Sequence, residues 1–471
     1  MLGHPLRWPV DWFPPTTHLA QMHVQAMTWL DQVPDDALFD TLRHWMEHCP
    51  PGASRGWRAA WNSYTVSLRI LAWIDTFSAR ADRLAVPDDV LRSLANQVRF
   101  LSTHLEWDIE GNHLVKNAVA LLVASASFDG PEAAAWQTQG GRLVHHILRT
   151  QVLPDGMHFE LSPAYHLQVV ADLQRCRDAL GPDAALDAAL AAMKTTLADL
   201  VHPDGSVSRL SDGWPSMCVA PAALLADTPP PGPLVALASA GLYGRREPGA
   251  LVLVDVGPIA APSLPAHGHA DAFTFEWSVD GHPIVVDPGV YAYEAGPRRL
   301  AGRGTAAHNT VVVDGADQAD VYGSFRVGRR AKVSLHAAVP DGDALALDAS
   351  HDGFVHLRGA PIHRRRWRLT AVSIEVDDEV RGGAGQPVVA NILLHPAVRA
   401  TPTADGLELA VGSTRLALRT ALPVAIQPAV WWPDYGVEQP TTRLVLDLGP
   451  APARGTWSLQ RISSSGRRRP R

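Results

Sequence analysis

Residues 267–289 read HGHADAFTFEWSVDGHPIVVDPG, and their pattern indicates the type of secondary structure in the second half of the chain. From Phe273 to Val279 apolar residues occupy every second position, as in a strand with one buried face. Asp280 and Gly281 then form a typical hairpin turn, and a second apolar run begins at Ile284. The stretch therefore predicts an antiparallel β-hairpin.

The same alternation extends on both sides of this hairpin. Leu251–Val256 and Thr310–Asp314 show it, and short strand-like segments separated by turns continue to about Leu459. Residues 251–471 are therefore predicted to form an antiparallel β-sandwich. The arginine-rich tail Arg467–Arg471 is predicted to be disordered.

The first half of the chain has the period of helices. Leu114, Ala118 and Leu121 illustrate the three- and four-residue spacing of apolar positions, and turns rich in Pro and Gly separate such segments. We predict helical hairpins over residues 1–228, arranged as a bundle or a toroid. A proline-rich segment then predicts a linker over residues 229–250.

Composition narrows the class of protein. A chain of 471 residues exceeds what one hydrophobic core usually serves, so we expect two domains. The formal net charge is −7, which argues against a nucleic-acid-binding protein because such proteins need a net basic surface. Cys49, Cys176 and Cys218 are far apart in sequence and predict neither a disulfide framework nor a thiolate metal site.

The sequence says less about the cellular location of the protein and about its oligomeric state. No run of about 18 apolar residues predicts a membrane span, and the first residues lack the apolar core of a signal peptide. As given, the chain is expected to be cytoplasmic. A chain trimmed of an export signal would look the same, so a periplasmic or secreted location stays open. The oligomeric state is also open, a homodimer included.

The densest group of reactive side chains lies around the predicted hairpin. His267 and His269 are two residues apart on an extended segment, Asp287 ends the next strand, and His308 follows within forty residues. Imidazole and carboxylate groups that converge in this way suit zinc, so His269, Asp287 and His308 are candidate ligands. The alternative is that these polar residues only bind backbone groups at strand ends.

Two further groups lie in the helical half. Asn112, His113 and Lys116 share one face of a predicted helix, opposite its apolar face, which suits a cleft. Ser162 is a natural N-cap and Tyr165 projects from the first turn that follows it. The alternatives are a capping Asn with an exposed His, and a Tyr that packs on the preceding loop.

Other side chains have the chemistry of an acidic-sugar site. Aromatic rings stack on sugar faces, and guanidinium groups bind carboxylate or sulfate through paired hydrogen bonds. With Glu160, the candidate substrate-binding residues are Tyr64, Arg69 and Arg303.

Taken together, these segments closely resemble the heparinase II/III-like polysaccharide lyases, with a helical part of the alginate-lyase-like type. The motifs that carry the resemblance are Asn112-His113-Leu114, residues 155–160, residues 162–166, His267-Gly-His-Ala-Asp, Val285-Val286-Asp287-Pro288-Gly289, residues 305–315 and Gly323-Ser324-Phe325. They occur in the family's order, and the resemblance spans roughly residues 55 to 335.

The resemblance implies an (α/α) toroid followed by an antiparallel β-sandwich, with the active cleft between them. It implies that Asn112 or His113, Tyr165 and His267 serve catalysis. It also implies a structural Zn²⁺ bound by His269, Asp287 and His308.

The implied reaction is β-elimination at a uronate. Asn112 and His113 would neutralise the uronate carboxylate while Tyr165, with His267, removes the C5 proton and protonates the departing oxygen. The products would be 4,5-unsaturated. The polymer stays open among heparin-like, chondroitin- or hyaluronan-like, alginate-like and exopolysaccharide substrates.

Two other functions stay in view. One is an α-toroid glycoside hydrolase that uses Asp155 and Glu160 as its pair of carboxylates. The other is a non-catalytic polysaccharide-binding protein of an exopolysaccharide pathway. Product analysis separates the first from a lyase, and polymer length separates the second.

Overall fold

The chain folds into two compact units in a computed structural model that describes residues 6–52 and 57–462. Unit 1 consists of Met1–Val152 and Gln168–Ala192. Unit 2 consists of Leu153–Leu167 and Met193–Arg471.

Helices dominate the first half of the described chain. The α-helices are α1 (His18–Ala26), α2 (Asp35–His48), α3 (Trp57–Ala60), α4 (Ser63–Ser78), α5 (Asp88–Thr103), α6 (Gly111–Ser127), α7 (Pro131–Thr150), α8 (Pro163–Leu180), α9 (Ala184–Asp199) and α10 (Pro297–Arg303).

Helix α6 is the central helix of unit 1 and packs against α4, α5 and α7. It can do so because apolar side chains occur on all its sides, and Leu114, Val119 and Leu122 are completely buried. Close contact with α7 depends on Gly140, where an added Cβ would lie 2.7 Å from the Leu122 side chain. The short connections between successive helices agree with the predicted helical hairpins.

Strands dominate unit 2. They are β1 (Leu234–Leu237), β2 (Leu242–Glu247), β3 (Ala250–Asp255), β4 (Phe275–Val279), β5 (His282–Val285), β6 (Val311–Val313), β7 (Val321–Tyr322), β8 (Arg326–Val327), β9 (Val333–Asp341), β10 (Ala344–His351), β11 (Ile362–Thr370), β12 (Ser373–Arg381), β13 (Pro387–Leu393), β14 (Arg399–Thr403), β15 (Gly406–Val411), β16 (Thr414–Thr420), β17 (Val424–Trp431), β18 (Gln439–Pro450) and β19 (Ala453–Arg461).

These strands form antiparallel sheets around one core. The sheet orders are β1-β2-β3-β4-β5, β14-β15-β16-β19-β12-β11-β10-β9, β17-β18-β13-β6 and the two-stranded β7-β8. Phe275 and Trp277 of β4, Leu345 of β10 and Leu444 of β18 belong to the same buried cluster, so the three larger sheets share a hydrophobic core. The predicted hairpin is present as β4 and β5.

The predicted boundary between the halves was wrong in one respect. Residues 229–250 were predicted to be a linker, yet β1 and β2 lie within them and complete the five-stranded sheet. The segment misled because Pro229, Pro230, Pro231 and Pro233 directly precede the short strand β1, and a proline-rich composition is typical of linkers rather than of strands. The predicted disordered tail Arg467–Arg471 lies outside the described residues.

One further prediction concerns membranes. Within residues 6–52 and 57–462, no helix combines the length and the apolar character that crossing a bilayer requires.

Candidate active site

The first group of predicted catalytic residues meets in unit 2, where Tyr165 and His267 are in direct contact. Their rings stack with centroids 3.8 Å apart and an interplanar angle of 25°. Tyr165 lies in the first turn of α8, and its backbone N–H donates to the Ser162 hydroxyl at 3.2 Å, which is the predicted N-cap bond. His267 ends a short 3₁₀ helix that precedes the β4–β5 hairpin. Residues 102 positions apart in sequence, counted from 165 to 267, thus form one pair.

A buried carboxylate, Asp212, fixes the orientation of His267. Its Oδ2 lies 3.2 Å from His267 Nδ1, and its Oδ1 lies 2.9 Å from His269 Nε2. Because Nδ1 is bound to Asp212, this carboxylate sets the orientation of the His267 ring. Sequence reasoning missed Asp212, which stands in a loop outside every motif that was singled out.

Asp212 is an anion at neutral pH. Burial alone would raise the pKa of this carboxyl, but Arg299, His267 and His269 together hold it well below its ordinary value. Arg299 is buried and donates to both oxygens of Asp212, to Oδ2 at 2.7 Å. A fully paired carboxylate of this kind is a fixed anchor for the two imidazoles.

The backbone around this anchor is strained. Ser211, directly before Asp212, has φ of 63°, and Leu161, between Glu160 and Ser162, has φ of 61°. Such a conformation costs about 1–3 kcal/mol for a residue that is not glycine, and it persists where the surroundings impose it. The Ser162 hydroxyl, which donates to the Asp212 carbonyl oxygen, ties the two strained segments together.

A second phenol lies next to the first. The hydroxyl oxygens of Tyr293 and Tyr165 are 3.1 Å apart, so one donates a hydrogen bond to the other. Burial, and then the charges of Tyr165 and Asp212, raise the pKa of Tyr293 well above its ordinary value. Tyr293 is therefore the phenol that stays protonated and can donate to Tyr165.

Glu160 lies close to His267 and is buried rather than exposed at a surface. It is 2% exposed, and its Oε2 is 3.9 Å from His267 Nε2 and 3.7 Å from His158 Nδ1. Burial lowers the pKa of His158 to about 4, so this imidazole is neutral at neutral pH. The placement suits an electrostatic role toward His267 better than the predicted direct contact with substrate.

The second group of predicted catalytic residues lies in unit 1, at the start of α6. His113 Nδ1 is 2.9 Å from Glu106 Oε1, and the Tyr64 ring stacks on the imidazole with centroids 4.2 Å apart. Glu106 is in turn held by Asn117, whose amide donates to Oε2 at 3.0 Å. The His113 side chain remains 31% exposed, while its neighbour Asn112 is buried. Glu106 and Asn117 were not predicted from the sequence.

Lys116, on the same face of α6, is already paired within unit 1. Its ammonium group lies 2.7 Å from Asp172 Oδ1, and both side chains are less than a tenth exposed. Helix α6 thus has the predicted polar face, but the Lys116 ammonium group on that face is paired with Asp172 of α8.

Two predicted substrate-binding arginines are buried, so these predictions need correction. Arg69 is completely buried, donates to Gln97 and to backbone carbonyls, and lies over the Trp45 ring. Arg303 is also completely buried, and its guanidinium donates to the Gly268 carbonyl at 2.9 Å. Arg69 therefore stabilises the core of unit 1, and Arg303 holds the backbone between His267 and His269.

The predicted metal ligands lie close together in unit 2. His269, Asp271 and His308 each offer one ligand atom within 4.8 Å of the others, and Asp287 Oδ2 lies 2.8 Å from His308 Nδ1. His269 Nδ1, Asp271 Oδ2 and His308 Nε2 are buried and have no hydrogen-bond partner among the described residues. Burial raises the pKa of Asp271 and of Asp287.

This donor set fits a divalent cation. Two imidazoles and a carboxylate suit zinc, and buried polar atoms without a partner are uncommon in folded proteins. Asp287 was predicted as the third ligand and stays a candidate. Asp271 is a second candidate, which the sequence analysis named only as part of the His267-Gly-His-Ala-Asp motif and not as a ligand.

Fold and motifs together define the class of protein. The heparinase II/III N-terminus model matches residues 32–223, and the model described as heparinase II/III-like, C-terminal, matches residues 229–458. The chain belongs to the heparinase II/III-like family.

Individual relatives extend this likeness. A heparin-sulfate lyase of Pedobacter heparinus is 25% identical over 311 residues, which are 57% of this chain and 46% of that protein. The chain therefore matches less than half the length of this relative. FtsZ-localized protein C of Caulobacter vibrioides is 26% identical over 420 residues, covering 82% of this chain and 71% of that protein.

Among solved structures, heparinase III is similar in fold. It covers 96% of this chain, and 79% of its own chain is matched, with a TM-score of 0.78 at 16% identity. The predicted fold class, helical hairpins of the (α/α) toroid type followed by an antiparallel β-sandwich, is confirmed.

Proposed function

We propose that this protein is a polysaccharide lyase that cleaves a uronate-containing glycosaminoglycan by β-elimination and releases 4,5-unsaturated products. The observation that carries the proposal is the stacked Tyr165–His267 pair, with His267 held through Nδ1 by the Asp212 anion. A phenol and an oriented imidazole in contact are suited to moving a proton to and from a bound sugar.

In the proposed reaction Tyr165 acts as base and then as acid. The phenolate oxygen takes the C5 proton of the uronate, the electron pair forms the C4–C5 double bond, and the bond from C4 to the glycosidic oxygen breaks. The proton held by Tyr165 then passes to the departing oxygen. Each of these transfers contributes about 10²- to 10⁴-fold when the group is correctly placed.

The protonated Tyr293 supports this role. Its hydroxyl lies 3.1 Å from that of Tyr165 and can donate a hydrogen bond to the reacting oxygen. His267, with Nε2 free of Asp212, is assigned to share the proton transfer.

The uronate carboxylate must be neutralised before the C5 proton can leave, because negative charge builds up next to it. We assign this task to Asn112 and His113. His113 is partly exposed and its ring is held through Nδ1 by Glu106, which leaves the Nε2 side of the ring for the substrate carboxylate. Both residues also lie in the first turn of α6, where backbone N–H groups favour anions.

We also propose a structural Zn²⁺, held by His269, His308 and one of Asp271 and Asp287. When bound it would supply a fixed positive charge that fastens the segment carrying His267, without taking part in the reaction. Asp212 orients His269 from the other ring nitrogen, as outer carboxylates commonly do for metal-binding imidazoles.

The proposed function is tested by incubating the protein with a panel of heparan sulfate, chondroitin sulfate, hyaluronan and alginate. Absorbance in the ultraviolet band of an unsaturated uronate should rise with at least one of them, and Tyr165→Phe should abolish the increase. Tyr243→Phe is the matched control, since Tyr243 is as buried as Tyr165 but lies in β2. An unchanged rate in Tyr165→Phe would remove the proposed base.

The hydrolase alternative has little support. Asp155 accepts hydrogen bonds from the backbone N–H groups of Met157, Ser239 and Ala240, so both of its oxygens serve a turn rather than a substrate. A non-catalytic polysaccharide-binding protein is the second candidate. FtsZ-localized protein C is matched over more of its length than the lyase, and its name records a location and no activity.

A further inference from the structure

A small hairpin next to the Tyr165–His267 pair carries two exposed aromatic side chains. Strands β7 and β8 pair with two residues each, so that Tyr322 lies directly opposite Arg326. Tyr322 is 50% exposed, Arg326 is exposed, and Phe325 in the turn is 40% exposed. Cross-strand partners lie side by side on one face of a hairpin, so a phenol ring and a guanidinium are neighbours there.

Two buried arginines fasten the tip of this hairpin. The Ser324 carbonyl accepts hydrogen bonds from Arg299 at 2.8 Å and from Arg303 at 3.3 Å. Arg299 also binds Asp212, the residue that orients His267. Because these guanidinium groups are buried and hydrogen-bonded, they hold the tip of the hairpin in a fixed position relative to the His267 imidazole.

The tip is also in contact with the site. The Phe325 ring meets the His267 ring edge to face at 6.4 Å and the Tyr293 ring at 5.1 Å. Phe325, at the tip of the hairpin, therefore connects the hairpin to His267 of the Tyr165–His267 pair. A polymer with one sugar at that pair would have a neighbouring sugar within reach of the hairpin.

We propose that the β7–β8 hairpin is a sugar-binding subsite, in which Tyr322 stacks on a pyranose ring and Arg326 binds the carboxylate or sulfate of an acidic sugar. An aromatic face beside a guanidinium matches the apolar face and the anionic group of such a sugar. Phe325 bounds the subsite on the side of His267. The inference rests on the proposed function only in taking an acidic glycan as the ligand.

Binding can be measured without turnover by using a heparan sulfate hexasaccharide and a hyaluronan hexasaccharide as probes in calorimetry with the Tyr165→Phe protein. Adding Tyr322→Ala or Arg326→Gln should weaken binding about three- to tenfold each. Tyr322→Phe should keep the affinity because it keeps the ring, and the loss in Arg326→Gln should shrink at high salt. Arg419→Gln, an exposed arginine of β16, is the charge control.

Thermal unfolding of each variant shows whether the hairpin change has altered the fold, and Tyr322→Phe and Arg326→Gln alter only exposed groups. Binding by Tyr322→Ala and Arg326→Gln that equals the parental affinity overturns the subsite. Weakened binding in both, with no unsaturated product from the otherwise unmodified enzyme, supports the subsite and defeats the lyase proposal. Absence of binding of both probes by the parent overturns the subsite as well.

Discussion

Replacing Asp212 by Asn should impair both activity and stability while leaving the shape of the side chain intact. Asp212 accepts from His267, His269 and both terminal nitrogens of Arg299, all of them buried. An amide presents one NH₂ group where an oxygen was, so at least one donor of these partners would face another donor.

The magnitude follows from these contacts. A buried donor left without an acceptor costs about 1–3 kcal/mol, and removing one charge of a buried ion pair costs about 3–5 kcal/mol. We therefore expect Asp212→Asn to lower the free energy of unfolding by about 3 kcal/mol, within the 5–15 kcal/mol typical of folded domains, so the variant stays folded. Because His267 would lose its fixed orientation, kcat should fall about 10²-fold or more.

The assay is urea denaturation together with the rate of unsaturated product formation. Asp75→Asn is the matched control, since Asp75 pairs with Arg175 at 2.8 Å on the surface, where such pairs contribute little. Parental stability and activity in Asp212→Asn would show that Asp212 does not fix the two imidazoles and Arg299 in place.

Three further predictions concern other buried ionisable side chains. Glu106→Gln should free the His113 ring, lower kcat/KM about 100-fold and change the His113 tautomer seen by nitrogen NMR. His269→Ala and His308→Ala should each abolish zinc binding measured by elemental analysis, and comparing Asp271→Asn with Asp287→Asn identifies the ligating carboxylate. Burial would raise the pKa of Asp378, but Arg365 and His363 hold it below its ordinary value, so stability measured by urea denaturation should fall as the pH drops below about 4.

Each of these predictions has a result that would contradict it. Glu110→Gln changes a neighbouring carboxylate that lies 3.6 Å from His146, and equal losses in it and in Glu106→Gln would contradict a specific role of Glu106. Full zinc content in both His variants would rule out the proposed cation site. Asp378→Asn should show a weaker pH dependence below about 4, and an unchanged slope would exclude Asp378 as its source.

The β4–β5 hairpin and the Tyr165–His267 pair could be predicted from the sequence because their signals are local. Alternating apolar residues define β4 whatever its partners are, and Ser162 caps a helix that then presents Tyr165. The motif containing His267 is equally compact. For these residues, the types and spacings carry most of the information.

The rest depends on tertiary contacts. Asp212 acts on His267 from 55 positions away, and nothing in its loop distinguishes it from other acidic residues. Arg69 and Arg303 have the chemistry of substrate-binding groups, but whether a guanidinium faces solvent or a core is decided by packing that the local sequence does not encode. Strand β1 was missed for the related reason that its partner in the sheet gives it its structure.

Digestion of the active polymer in oxygen-18 water, followed by mass spectrometry of the products, distinguishes elimination through Tyr165 from hydrolysis. Elimination through Tyr165 predicts unsaturated ends with no oxygen-18, and no product at all from Tyr165→Phe. Saturated products that carry oxygen-18 would contradict elimination. Unsaturated products from Tyr165→Phe at the parental rate would contradict the role of Tyr165 as the base.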